Sequence, residues 1–121
     1  MPREDEAAPD RRRVKRRHLI YYLRVFDRAS GRQVGHLVDL TSEGMMLMSE
    51  RPIRVGRTLG LRMSLPRESG GEEAIEFDAT SLWTSADVNP DFYDTGFRFE
   101  KISRHHLSRI ETLIDDYGFR E

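Results

Sequence analysis

Hydrophobic and polar residues alternate along most of this chain, which is the pattern of half-buried β-strands. The alternation is clearest over residues 58–65, where every second residue is apolar: Leu59, Leu61, Met63 and Leu65. Five further segments rich in β-forming residues are predicted as strands, at about 19–25, 33–40, 45–48, 75–83 and 97–100. The pattern therefore predicts about six short strands.

Turn-forming residues separate these segments, at 28–32, 41–44, 66–71 and 89–91. Within the fifth segment, Leu82 stands next to Trp83 and interrupts the alternation. An extra residue of this kind is typical of a β-bulge. We therefore expect a bulge or bend in the fifth strand.

The hydrophobic spacing becomes helical near the C-terminus. Residues 103–117 carry apolar side chains three or four positions apart, with Ser103 as the predicted N-cap and Gly118 as the stop signal. Short antiparallel strands followed by one amphipathic helix indicate an all-β fold with one C-terminal helix, either a small barrel or a sandwich.

Length and composition favour one intracellular domain. The chain has 121 residues and no cysteine, so disulfides and thiolate metal sites are excluded. It contains no apolar stretch long enough to span a membrane. Residues 1–10 hold two prolines and four acidic residues, without the apolar centre of a signal peptide, and are expected to form a disordered tail. We expect a soluble, cytoplasmic protein.

Nothing in the sequence favours an enzyme or a metalloprotein. There is no cysteine nucleophile, no Gly-x-Ser-x-Gly elbow and no Gly-x4-Gly-Lys phosphate loop. His105 and His106 are adjacent and therefore lack the i, i+4 spacing of helical zinc sites. We also interpret Trp83 as a packing residue, and Met45, Met46 and Met48 as core residues.

Two features indicate a binding site for a phosphate ligand. Residues 11–17 read Arg-Arg-Arg-Val-Lys-Arg-Arg, six cations in seven positions, in a chain whose net charge is −1. Such a run is typical of a mobile anion-binding arm. The second feature is the turn after the second predicted strand, which contains Asp39, Thr41 and Gly44.

Together these features resemble the signature of the PilZ domain family, Arg-x-x-x-Arg followed by Asp/Asn-x-Ser-x-x-Gly. Here Arg12 and Arg16 match the first motif, and Asp39-x-Thr41-x-x-Gly44 matches the second, with threonine in place of serine. Trp83, the segment 95–99 and the closing helix follow in the family's order. The resemblance implies a six-stranded antiparallel β-barrel of PilZ type. It implies a tail at 1–10 and a PilZ domain at 11–121. Within that domain, the arm spans 11–17, the barrel 18–101 and the C-terminal helix 103–117.

The resemblance also implies that the ligand is the bacterial second messenger cyclic di-GMP, with no cofactor. Arginine suits this ligand because its guanidinium can stack on guanine, donate two parallel hydrogen bonds to guanine O6 and N7, or bind a phosphate. A carboxylate can accept from guanine N1–H and N2–H, and a glycine at the turn allows positive φ and close backbone approach. The predicted site residues are Arg11, Arg12, Arg13, Arg16, Asp39, Thr41 and Gly44.

Some alternatives stay open at this point. Arg13 and Arg17 also satisfy Arg-x-x-x-Arg, and within the family an arginine at position 11 favours an intercalated ligand pair. The expected output is an arm that folds over the ligand and signals to a downstream protein. A basic-armed adaptor for nucleic acid or protein is the alternative function, and so is a PilZ fold that has lost affinity, since Thr41 departs from the pattern. Nucleic acid is disfavoured because the strand phenylalanines fall on core faces.

Overall fold

Six antiparallel strands close into a barrel in the part of the chain that the structure, a computed structural model, describes: residues 23–67 and 69–117. The barrel order is β1-β2-β3-β6-β5-β4. The elements are β1 (Arg24–Asp27), β2 (Gln33–Leu40), β3 (Gly44–Ser49), β4 (Thr58–Pro66), β5 (Glu72–Ala86), β6 (Tyr93–Ile102) and α1 (Arg104–Tyr117).

The sequence pattern predicts β2, β4 and α1 most closely, whereas β6, predicted at 97–100, extends from Tyr93 to Ile102. β2 has the predicted bounds, and β4 and α1 differ from theirs by one residue. The first predicted strand, 19–25, begins outside the described residues, and β1 continues two residues further, to Asp27. β5 is the longest strand, with 15 residues, and its pairing with β6 shifts register between Ser81 and Trp83. The predicted bulge is therefore present.

The inward face of each strand builds one core. On β4 and β5 the alternating apolar residues lie inside as expected, with Leu61, Met63 and Ile75 fully buried. Phe77 and Phe99 meet edge to face, with ring centroids 5.1 Å apart. The arrangement explains the fold class, since closing the sheet buries an apolar face that no single strand could cover.

The helix α1 covers one end of this core. Its apolar stripe, Ile110, Leu113 and Ile114, is buried. Ser103 caps its N-terminus, because Ser103 Oγ accepts a hydrogen bond from His106 N–H at 3.1 Å.

A carboxylate on β5 ties α1 to the barrel. Glu73 accepts a hydrogen bond from Arg109 Nε at 2.6 Å, and its other oxygen lies 2.9 Å from His105 Nε2. The hydrogen bonds to His105 and Arg109 hold the pKa of Glu73 below its ordinary value of 4.5. The charged form of Glu73 is therefore the one that holds the helix in place.

Candidate functional site

A row of four residues crosses four neighbouring strands on the outer surface of the barrel. Asp39 on β2 pairs with Met46 on β3, Met46 pairs with Gly96 on β6, and Gly96 pairs with Trp83 on β5. Three strand spacings of about 4.8 Å separate the two ends, so the row is about 14 Å long. These residues line a groove of about 330 Å³, called here the Asp39–Trp83 groove, whose lining also includes Leu40, Thr41, Glu43, Gly44, Met45, Leu82, Phe97 and Arg98.

Trp83 forms one end of the groove. Its side chain is 44% exposed, although a tryptophan normally buries most of its surface. The interpretation of Trp83 as a packing residue is therefore wrong. The physical reason is the bulge at Leu82, which shifts the phase of β5 and turns both Leu82 and Trp83 outward. The break in alternation was the sequence signal that could have placed Trp83 on the surface.

The methionines of β3 divide between the core and the groove. Met45 is buried, as expected of a core residue. Met46 and Met48 are half-buried on the opposite face, and Met46 lies in the middle of the groove. The expectation of a core role is thus correct for Met45 and wrong for Met46, because adjacent residues of a strand face opposite sides.

Thr41 organises the turn between β2 and β3. Its Oγ1 accepts hydrogen bonds from the backbone N–H groups of Glu43 and Gly44, both at 3.1 Å, and donates to Gly44 O at 3.3 Å. The Thr41 N–H also donates to Gly44 O, at 2.9 Å. The hydroxyl is therefore engaged within the turn, and serine would make the same bonds. The departure from serine at this position does not disturb the turn.

Gly44 lies where β3 meets β6. Among the described glycines, those with positive φ are Gly31, Gly56, Gly70 and Gly71, so Gly44 does not use the positive φ that glycine allows. The expected close backbone approach is present, because a Cβ on Gly44 would overlap the carbonyl oxygen of Phe97. Glycine is required here by strand packing.

Asp39 stands at the other end of the groove and is exposed. Its Oδ1 accepts a hydrogen bond from Leu40 N–H at 2.9 Å, the one hydrogen bond that a described residue makes to this carboxylate. The turn itself is closed by Thr41 and not by Asp39. The remaining lone pairs of the Asp39 carboxylate can therefore accept hydrogen bonds from a molecule in the groove.

Arg98 is a groove residue that the sequence reasoning missed as a functional candidate. Its side chain is 59% exposed, and its Nε and Nη2 donate to Glu100 Oε2 at 3.1 and 2.9 Å. The hydrogen bond from Arg98 lowers the pKa of Glu100, so this pair stays ionised. Its outward position between Phe97 and Phe99 was the available signal. The groove thus offers two carboxylates, Asp39 and Glu43, and one guanidinium in addition to the indole.

The predicted arginines Arg11, Arg12, Arg13, Arg16 and Arg17 lie outside the described residues. The chain is described from Leu23, whose carbonyl accepts a hydrogen bond from Leu37 N–H at 2.9 Å. Because β1 and β2 are antiparallel, the N-terminal end of β1 lies beside the end of β2 that carries Asp39. The attachment point of the N-terminal segment and the groove are therefore at the same end of the barrel.

The described residues contain no group of three or more His, Cys, Asp or Glu side chains arranged to hold a metal ion. Among the same residues, no helix has the length and apolar character needed to cross a membrane.

Comparisons with known proteins place this geometry in a family. A family model described as PilZ domain matches residues 10–116. Two solved structures share the fold. The Bacillus subtilis inhibitor of motility MotI/DgrA has a TM-score of 0.62 at 13% identity, over 77% of this chain and 44% of that chain. The PilZ domain of YcgR from Escherichia coli, solved with c-di-GMP, has a TM-score of 0.57 at 18% identity, over 80% of this chain and 81% of that chain.

The chain therefore spans less than half of MotI/DgrA and most of the YcgR domain. No curated protein matches the sequence at a significant level.

Proposed function

The chain belongs to the PilZ domain family, and on that premise we propose that it is a receptor domain for cyclic di-GMP, which it binds in the Asp39–Trp83 groove. The observation that carries the proposal is the row in which Asp39 and Trp83 face one groove from opposite ends. A carboxylate and an exposed indole about 14 Å apart suit a ligand with two purine bases and a charged centre.

Each end of the groove has a distinct task in this proposal. Asp39 accepts from guanine N1–H and N2–H, groups that adenine does not present in this combination. The Trp83 indole offers a flat surface on which a base can stack. Arg98, beside them, can bond a phosphate or a guanine edge. Of these three side chains, Asp39 gives the selectivity for guanine over adenine, because any base can stack on an indole.

The arginine run supplies the remaining charge. Arg16 precedes Leu23 by seven residues, a segment that spans at most about 25 Å when extended. Leu23 bonds Leu37, two residues from Asp39, so the attachment point is within about 10 Å of that carboxylate. The run is therefore close enough to reach the groove. We assign Arg12 and Arg16 to guanine and phosphate, with Arg11 and Arg13 beside them, and Thr41 and Gly44 to shaping the turn below.

Ligand binding and arm ordering are coupled in this proposal. Ordering about six arm residues costs roughly 6–12 kcal/mol of backbone entropy. Charge-assisted hydrogen bonds contribute roughly 1.5–3 kcal/mol each, so four or five are needed. The ligand-bound arm then forms a new surface beside the barrel, which a downstream protein reads. In this account residues 1–10 are a tail outside the domain, and the domain is a cytoplasmic receptor without catalytic activity.

Calorimetry on the Asp39→Ala variant tests the proposal through the sign of its effect. If Asp39 recognises guanine, removing the carboxylate charge weakens cyclic di-GMP binding by about tenfold or more. If the chain binds any polyanion, removing a negative charge strengthens binding instead. Glu43→Ala is the matched control, because it removes one charge from the same groove without removing the proposed guanine acceptor.

The ligand series completes the experiment. We expect binding of cyclic di-GMP to be much tighter than that of GMP or cyclic di-AMP, and to be lost in Arg12→Ala and Arg16→Ala. Equal affinity for all three nucleotides, falling steeply with salt, would instead support the basic-armed adaptor. No binding of any nucleotide would leave a PilZ fold that has lost its ligand.

A further inference from the structure

The C-terminal part of β5, Leu82–Ala86, has a free edge. β5 continues to Ala86, but its partner β4 begins at Thr58, which pairs with Thr80. Within the described residues, no backbone hydrogen bond joins Leu82–Ala86 to any element other than β6. Five residues of an extended strand therefore lack a neighbour on one side.

The backbone of this segment directs polar groups to the free edge. Asp87 N–H donates to Phe92 O, which sets the alternation of bonds between β5 and β6. In an antiparallel pair, the backbone groups of every second residue point toward the partner strand and those of the residues between them point away. The N–H and C=O of Thr84 and Ala86 therefore point away from β6. An edge of this kind is a template for another strand. The side chains beside it include Leu82, which is 47% exposed.

Opposite charges stand at the two ends of the edge. At the end next to Ser81, the backbone carbonyls of Arg54 and Arg57 accept hydrogen bonds from Ser81. Both arginine side chains are exposed and make no ion pair with a described residue. At the other end, next to Ala86, lie Asp87 and Asp94. The hydrogen bonds from Asn89 N–H and from Asp94 hold the pKa of Asp87 below its ordinary value, so Asp87 is charged.

We propose that two copies of this chain pair through the free edges of β5, antiparallel about a two-fold axis at Thr84. In that arrangement Thr84 of each copy exchanges backbone bonds with its counterpart, and Ala86 of one copy meets Leu82 of the other. Arg57 of one copy then approaches Asp87 of the other, twice by symmetry. The edge is complementary to itself in charge, which favours a second copy over a strand from another protein.

This dimer is compatible with the proposed ligand site, and Leu82 is the residue that the two have in common. The groove lies on the outer face of β5, where Trp83 points, whereas the pairing uses the strand's edge. The dimer would therefore place two grooves on one continuous sheet. Its test is performed without nucleotide, so that failure of either proposal leaves the other intact.

Sedimentation of the full chain over a wide concentration range tests the pairing, with Ala86→Pro as the first variant. Proline removes a donor that faces away from β6 and keeps the ladder within the chain, so the variant should fold. We expect a reversible wild-type dimer and an increase of about tenfold or more in its dissociation constant in Ala86→Pro. A wild-type chain that is monomeric at every concentration overturns the proposal, as does a dimer that Ala86→Pro leaves unchanged.

A charge exchange supplies the second measurement. Arg57→Asp and Asp87→Arg should each weaken the dimer, and the double variant should restore it, because the exchanged charges meet across the axis. Arg62→Asp, an exposed cation on β4, is the control and should have no effect. Single variants that do not weaken the dimer, or a double variant weaker than both, would contradict the arrangement. A cooperative thermal transition in each variant shows that the chain has remained folded.

Discussion

The indole of Trp83 lies directly over Gly96 on the neighbouring strand. A Cβ built on Gly96 would overlap the Nε1 atom of Trp83, so only glycine permits this position of the ring. The pair lies in register across β5 and β6 and forms one end of the Asp39–Trp83 groove. Gly96 therefore determines where the exposed aromatic surface of the groove is placed.

Replacing Gly96 by alanine should displace the indole at little cost to folding. Because Trp83 is partly exposed, its ring can move aside, and we expect a stability loss below about 1 kcal/mol. Cyclic di-GMP binding should weaken in Gly96→Ala, and the emission of Trp83, the single tryptophan of the chain, should change. In a Trp83→Ala background, Gly96→Ala should have no further effect on affinity. Equal losses in both backgrounds would mean that the two residues act separately.

Gly44→Ala should be more destabilising than Gly96→Ala. The added methyl would meet the carbonyl oxygen of Phe97, and a strand backbone cannot move aside as an exposed side chain can. We expect a loss of about 2 kcal/mol in the free energy of unfolding, measured with denaturant. Gly60→Ala is the matched control, because the atoms nearest to its Cβ belong to the exposed guanidinium of Arg28, which can move aside. A Gly44→Ala variant as stable as the control would argue against a packing role.

Thr41→Ser should leave both stability and affinity close to those of the wild type. Serine keeps the hydroxyl that bonds Glu43 N–H and Gly44 N–H. Thr41→Ala removes it and should cost about 1–2 kcal/mol in chemical unfolding, since two turn donors lose their acceptor. If Thr41→Ser bound cyclic di-GMP much more tightly than the wild type, the threonine methyl would be an obstacle to the ligand.

Acid should loosen the attachment of α1 through Glu73. A carboxyl whose pKa is lowered in the folded state adds stability above its unfolded pKa, and that stability is lost as the pH falls through the folded value. The contribution is therefore present above pH 4.5 and disappears below it. Melting temperatures measured from neutral to acid pH should fall less steeply in Glu73→Gln than in the wild type. Glu72→Gln, which changes an exposed neighbour, should keep the wild-type slope.

The barrel was predictable from the sequence because burial imposes alternation on each strand. On β4, for example, Leu61 and Met63 are buried and Arg62 between them is exposed. Strand order around the barrel could not be read from this pattern, since it depends on pairings between distant segments. The pairing of β3 with β6, which completes the groove, is one such long-range contact.

The candidate site was predictable only in part. Asp39, Thr41 and Gly44 were identified from the resemblance to the family motif, and the structure brings all three to one groove. Their individual roles needed the hydrogen bonds, because the motif alone does not distinguish a turn hydroxyl from a ligand contact. Trp83 and Arg98 were missed as site residues, since their place in the groove depends on the bulge and on register across the sheet.

Amide chemical shifts recorded while the full chain is titrated with cyclic di-GMP test the central claim most directly. We predict large shifts at Asp39, at Gly44, at Gly96 and at the Trp83 indole N–H, together with reduced mobility of residues 11–17. Cyclic di-AMP under the same conditions should produce little change. Shifts restricted to the arginine run, identical for both nucleotides and absent from these groove residues, would contradict the account.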